Sequence, residues 1–243
     1  MVKRVGKRGD TLIEVMLAVG IFSMVAVAVV AVMSGGTSGA QTALETTLTR
    51  EEIDAQAEAL RFIQSSYIAE KDDKDGRFAK LWEAITKKAH NNEAPVMDFN
   101  SDLTTYSPST CDELYNSNKG EAKTQGFVVD TRKLGTFNED EINSVIVSED
   151  ELFEPASTYP RLIYNDSNSL VNTDQGDTLQ SVQGIYIIAI KDPNNTSIVN
   201  KGDKTSAYYD FYIRTCWYGT GDKTPSTIST VMRLYDPGIV ETK

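Results

Sequence analysis

The sequence predicts an α+β chain: a long N-terminal helix, membrane-spanning in its first half and amphipathic in its second, packed on a C-terminal antiparallel β-sheet domain. Three patterns point there. From Val15 to Met33 there is no charged residue. Between Ile53 and Tyr67 apolar residues recur at helical spacing. After Phe127 come short apolar or alternating runs separated by turn residues. Strands gathered after helices make an α+β body rather than alternating βαβ units.

The charge-free run comes first. At about 1.5 Å per residue it makes a helix of roughly 28 Å, close to the thickness of a bilayer core. No other stretch in the 243 residues is comparable, so one span is expected. Lys3, Arg4, Lys7 and Arg8 precede it and no dense basic cluster comes soon after it. The excess of basic residues on that side keeps the N-terminus cytoplasmic and exports the chain beyond residue 33.

Ser34-Gly35-Gly36-Thr37-Ser38-Gly39 comes next. Each glycine weakens a helix by about 1 kcal/mol relative to alanine, so the segment reads as a helix end or a soft joint. Ile53, Ala57, Leu60, Ile63 and Tyr67 then form one apolar face, with Glu51, Glu52, Asp54, Glu58 and Arg61 around much of the rest. Thr49-Arg50-Glu51-Glu52 fits a capping box, and Leu48 with Ile53 a hydrophobic staple, which would restart a helix at Thr49, the alternative being one long helix through this region. Residues 71–76 read as a solvated turn. Arg77 to Ala89, with Phe78, Leu81, Trp82 and Ile85, reads as a short helix, and residues 91–125 as a polar loop.

Phe127–Val129, Val145–Val147 and Leu162–Tyr164 are short strand candidates. Ile185 to Ile190 is apolar on both faces and reads as a buried central strand. Tyr209, Phe211, Ile213, Thr215 and Trp217 alternate with Asp210, Tyr212, Arg214 and Cys216, the pattern of a half-buried strand. Ile228 to Tyr235 makes the last one. Asp192–Asp203 and Gly219–Pro225 are turn-rich connections.

Composition narrows the chemistry. The formal charge is -11, so phosphates are repelled on average and direct nucleic-acid binding is not expected. His90 is the only histidine and lies in a Lys- and Asn-rich stretch. A Ser-His-Asp or Cys-His centre therefore has little to build on, and no enzyme activity is predicted. Asp72-Asp73-Lys74-Asp75-Gly76 and Glu149-Asp150-Glu151 bear oxygen ligands, but neither has the spacing of a calcium-binding helix-loop-helix, and both read as solvated loops. No cofactor or metal is expected. Cys111 and Cys216 both fall in the part expected to be exported, where two separated cysteines are expected to form one disulfide.

The N-terminus is unlike an ordinary secretory signal, whose small-residue cleavage motif follows its apolar stretch. Here the glycine lies before a long apolar stretch, and Glu14 sits directly against it. A carboxylate near hydrocarbon is costly unless it is neutralised, reaches the interface or finds a partner.

The string Gly9-Asp10-Thr11-Leu12-Ile13-Glu14-Val15-Met16 resembles the prepilin peptidase site of type IV pilins, pseudopilins and competence pilins. The shared pattern is a short basic leader, Gly, one residue that is usually Phe, then Thr-Leu-Ile-Glu and a long apolar run. The resemblance is specific over residues 3–33. It implies cleavage between Gly9 and Asp10, with Glu14 pairing with the N-terminal amine of a neighbouring subunit in a filament. Removing the leader takes away four basic residues and no acidic ones, so the formal charge falls from -11 to -15. Asp10 replaces the usual Phe, and Ala31 stands where many major pilins carry proline. Ala18-Val19-Gly20-Ile21-Phe22-Ser23 looks more like minor pilins and pseudopilins.

The resemblance divides the chain into a leader (1–9), a transmembrane and assembly helix (10–33), a hinge and amphipathic helix (34–70) and an exported globular domain (71–243). The expected partners are prepilin peptidase, other pilin subunits with their assembly machinery, and the cytoplasmic membrane. The final location is the cell surface. The competing readings are a membrane-anchored adhesin, whose helix serves only as an anchor, and a pseudopilin of a type II secretion or competence system.

Overall fold

A computed structural model describes residues 10–70, 76–88, 111, 126–148, 152–165, 178–191, 207–219 and 222–236. The chain divides into two compact units, Met1–Leu44 and Glu45–Lys243.

Helix α1 (Asp10–Ala69) begins in the first unit. Every residue from Leu12 to Leu44 is exposed, and the helix is long and apolar enough to cross a membrane. Its hydroxyls bond back to its own carbonyls. Ser23 donates to the Val19 carbonyl at 2.7 Å, Thr37 to Met33 at 3.1 Å and Thr42 to Ser38 at 3.1 Å. Donors that would be stranded in an apolar setting are thereby satisfied within the helix.

The glycines at 35, 36 and 39 do not end α1, which runs through them without interruption. Glycine propensity is a weak prior, and the helix formers on either side outweigh it here. Nor does a helix restart at Thr49. That residue is buried, and its hydroxyl donates to the Glu45 carbonyl at 2.8 Å, the bond of a helix interior rather than of an N-cap.

In the second unit the stripe Ile53, Ala57, Leu60, Ile63 and Tyr67 is buried as its spacing predicts. Helix α2 (Arg77–Lys88) adds Phe78, Leu81, Trp82 and Ile85 to the same core. Glu70 caps α2 by accepting the Phe78 N–H at 3.1 Å. The Trp82 ring stacks on Tyr67, with centroids 5.7 Å apart, and meets Tyr209 edge-on at 6.0 Å. Its indole N–H donates to Asp236 Oδ2 at 3.3 Å, so the polar atom of this buried ring is not left unpaired.

Among the described residues eight strands follow: β1 (Val128–Val129), β2 (Ile146–Val147), β3 (Phe153–Glu154), β4 (Arg161–Asn165), β5 (Thr178–Gln183), β6 (Ile185–Lys191), β7 (Ala207–Trp217) and β8 (Ser226–Asp236). A 3-10 turn at Glu139–Glu141 leads into the four-residue helix α3 (Ile142–Val145) ahead of β2. The strands form three small sheets, ordered β1-β2, β3-β5-β4 and β6-β7-β8. All pairs are antiparallel except β3 with β5, so the sheet part is mixed rather than wholly antiparallel.

Three strand expectations change. Ile185–Lys191 is not the central strand: β7 is, and β6 lies at one end of the order. Its outer edge is not bare, because Phe127 bridges to Ile187 through two backbone bonds of 3.0 and 2.8 Å. β7 is also more than half-buried. Besides Tyr209, Phe211, Ile213, Thr215 and Trp217, it buries Asp210, Arg214 and Cys216 on its other face. Val145 belongs to α3, not to a strand.

Gln56 joins helix to sheet. Fully buried on α1, its side chain donates to the Val129 carbonyl at 3.0 Å and accepts the Val129 N–H at 2.9 Å. The amide thus acts as a strand residue would and completes the hydrogen bonding of β1.

Candidate functional site

Of the N-terminal site residues, Gly9 lies outside the described residues and Asp10 is the first residue of α1. Glu14 comes one helical turn later, exposed and flanked by exposed Leu12, Ile13, Val15 and Met16. Among the described residues Glu14 makes no ion pair. The segment presents one carboxylate at the margin of an all-round apolar helix. In hydrocarbon such a group needs a cation, a proton or the interface. In water it is simply solvated.

Cys111 and Cys216 are joined in a disulfide, with Cα atoms 5.7 Å apart. Both are fully buried. Cys216 lies on the face of β7 that points away from Phe211 and Ile213, and the Cys111 N–H donates to the Tyr218 hydroxyl at 3.2 Å. The bond closes a loop with a sequence separation of 105, which in the chain-entropy picture contributes about 4–5 kcal/mol.

Three further features escape a reading of the sequence. The first is Asp130, fully buried in the turn after β1. Its Oδ1 accepts the Arg132 N–H at 3.1 Å and the Tyr164 hydroxyl at 3.2 Å, while its Oδ2 has no hydrogen-bond partner. Burial pushes the carboxyl above its ordinary range, partly countered by those two bonds and by Lys133. Burial and the adjoining carboxyl in turn push Tyr164 up, and the Arg132 guanidinium covers the Tyr164 ring at 3.8 Å. An Asp followed by Thr-Arg-Lys after a strand signals a turn, but nothing in its spacing signals burial.

The second is a cleft of about 320 Å³ near Lys133, Asn143, Ser144, Leu152 and Leu179. It holds one amine and, among the described residues, no carboxylate, thiol or histidine, so it contains no acid-base pair.

The third lies on the outer side of β7 and β8, in the aromatic-rich stretch of the sequence. Arg233 grips the buried Asp210 with two bonds of 2.7 Å and covers the Tyr208 ring at 4.0 Å. Asp210 strengthens the proton hold of the guanidinium. This is a fork-to-fork pair that fixes β8 against β7 and leaves neither charge free for catalysis.

Among the described residues no group of three or more His, Cys, Asp or Glu could hold a metal ion. His90 and the acidic stretches at 72–75 and 149–151 lie outside the described residues. No family model, curated protein or solved structure matches the chain.

Proposed function

We propose that this chain is a type IV pilin-like filament subunit, of the minor rather than the major kind. On this reading prepilin peptidase cuts between Gly9 and Asp10, and α1 holds the subunit in the cytoplasmic membrane with the body outside. The observation that carries the proposal is the string Gly9-Asp10-Thr11-Leu12-Ile13-Glu14 set directly ahead of the charge-free run. The exposed charge-free run of α1 from Val15 to Met33 supports it, because such a surface is stable only among lipids or other helices.

The assembly step rests on desolvation. In the bilayer Glu14 is a charge short of a partner, and cleavage creates an amine at Asp10 on every copy. Bringing the amine of one subunit to the Glu14 of another neutralises both in low dielectric, so leaving the lipid for the filament lowers the cost of each charge. The helix packs inside and the acidic body faces solvent.

Intact mass of the membrane-extracted protein tests the processing directly: loss of Met1 to Gly9 is expected, and their retention would overturn the prepilin claim. Glu14→Ala is expected to insert normally and to lower the amount recovered in sheared surface filaments by about tenfold or more, the cost of leaving one buried amine unpaired. Unchanged recovery would remove the assembly role from Glu14.

A further inference from the structure

β8 ends the order β6-β7-β8, and its eleven residues pair with β7 without a register shift. Which way its backbone points can be read from two side chains. The Thr215 hydroxyl on β7 bonds both the C=O and the N–H of Ile228, at 2.8 and 3.3 Å. The Tyr235 carbonyl instead accepts from Gln64 of α1 at 2.6 Å. Antiparallel alternation therefore turns the backbone groups of Ile228, Thr230, Met232 and Leu234 toward β7, and those of Thr227, Ser229, Val231 and Arg233 outward. Among the described residues these outward groups have no partner.

Exposed edges are ordinarily blunted by lysine, proline, a bulge or an inward charge. Within Ser226–Asp236 there is no lysine or proline, and Arg233 is already neutralised by Asp210. The side chains at the middle and end of the edge are apolar and open, Val231 being 51% and Tyr235 53% exposed.

We propose that this edge docks a second copy of the same chain, the two β8 strands pairing antiparallel about Val231. In that register Val231 meets Val231 and Ser229 meets Arg233 of the other copy, and the Thr227 side chain faces that of Tyr235, whose carbonyl stays with Gln64. On the inner face Thr230 meets Met232 and Ile228 meets Leu234. No like charges oppose each other, and the two most exposed apolar side chains of the edge are covered. Neighbouring registers are worse. Centring on Arg233 opposes two guanidinium groups, and centring on Ser229 sets Arg233 against Pro225, which has no N–H to give. A strand that is its own complement makes an isologous contact with no other partner needed. The pairing does not depend on cleavage at Gly9.

The test is register-specific cross-linking of the full chain in detergent micelles. With Cys111 and Cys216 already joined, an added cysteine is the only free thiol. Two residues facing each other across the proposed dyad have Cα atoms about 5.5 Å apart, within disulfide range, whereas Ser229 lies roughly 13 Å from its own copy. Oxidised Val231→Cys is therefore expected to yield at least about tenfold more linked dimer than Ser229→Cys, and a mixture of Thr227→Cys and Tyr235→Cys should yield the heterologous pair. Val231→Lys, which sets two ammonium groups face to face, is expected to abolish association without changing the circular dichroism spectrum.

Equal cross-linking at 229 and 231 would show contact through the apolar helix alone and overturn the inference. So would a chain that stays monomeric but binds an extended peptide in a Val231→Lys-sensitive way, because the occupant would then be a partner's strand.

Discussion

Gly184 shows how much one residue can constrain this body. It links β5 to β6 with φ of 68°, its N–H donates to the Glu154 carbonyl at 2.9 Å, and its own carbonyl accepts the Cys216 N–H at 2.9 Å. A Cβ there would lie 2.5 Å from the Ala156 Cβ and 2.6 Å from the Cys216 carbonyl oxygen. Both the backbone conformation and the space exclude a side chain. Gly184→Ala should therefore lower stability by about 2–4 kcal/mol, combining the left-handed penalty with overpacking, as chemical denaturation of the purified chain would show. Asp130 makes a different kind of prediction. Its carboxyl is raised in the folded state, so the native protein holds this proton more tightly than the unfolded chain does. The contribution is present below the ordinary carboxylate value and is lost as pH rises through the raised one. Asp130→Asn keeps an acceptor for Arg132 and Tyr164 and removes the titration. Thermal melts between about pH 4 and pH 7 should show the variant gaining on the parent as pH rises. A constant gap across that range would mean that the carboxyl does not titrate differently on folding.

At the scale of elements, the helices were the most legible part. The stripe from Ile53 to Tyr67 and the set Phe78, Leu81, Trp82 and Ile85 are buried as their spacing required, because a period of 3.6 leaves little choice of face. Strand order was not legible. Ile185 to Ile190 reads as central because it is apolar on both sides, yet β7 is the middle strand, and the other edge of β6 meets only the bridge from Phe127. β3 and β5 were missed: one has only two residues, and Thr178–Gln183 is too polar to carry a strand pattern. The glycines at 35, 36 and 39 misled in the other direction, since local propensity cannot count the turns of helix on either side. Of the candidate site, the string around Gly9 and Glu14 is a resemblance that the fold leaves where it was, whereas the Cys111–Cys216 pairing followed from having two cysteines. Asp130 was invisible because burial of a single carboxylate is a property of the fold. The join between α1 and β1 was equally hidden, resting on one amide. Gln56→Ala would leave the buried N–H and C=O of Val129 unpaired. Each orphan costs about 1–3 kcal/mol. Gln56→Glu should recover only part of that loss, because a carboxylate accepts from the N–H but cannot donate to the carbonyl. Equal stability of the parent and both variants in denaturant titrations would show that water replaces the amide at no cost.

For the molecule as a whole, the question is whether its two units fold by separate rules. Met1–Leu44 buries none of its described side chains and carries the stretch of α1 that is long and apolar enough to cross a membrane. Glu45–Lys243 has what a free-standing domain needs. It contains the buried core cluster, the disulfide, and the capping and amide bonds that satisfy α2 and β1. It also carries every acidic residue except Asp10 and Glu14, which favours solubility. The C-terminal half of α1 belongs to this unit by its contacts, since Ile53 to Tyr67 are core residues. A cut at the end of the charge-free run would leave residues 34–44 as an exposed stub with no core contacts, and a cut after Ala69 would strip the core. Residues 45–243, exported to an oxidising compartment, should therefore be soluble without detergent, carry no free thiol and unfold in one cooperative transition. Residues 71–243 should not, because they lack Leu60 and Ile63, two of the fully buried side chains of the core, and losing even one such side chain costs about 2–5 kcal/mol. Thiol titration and thermal melts of the two fragments decide it. If the shorter fragment melts like the longer one, the second half of α1 is an appendage rather than part of the core.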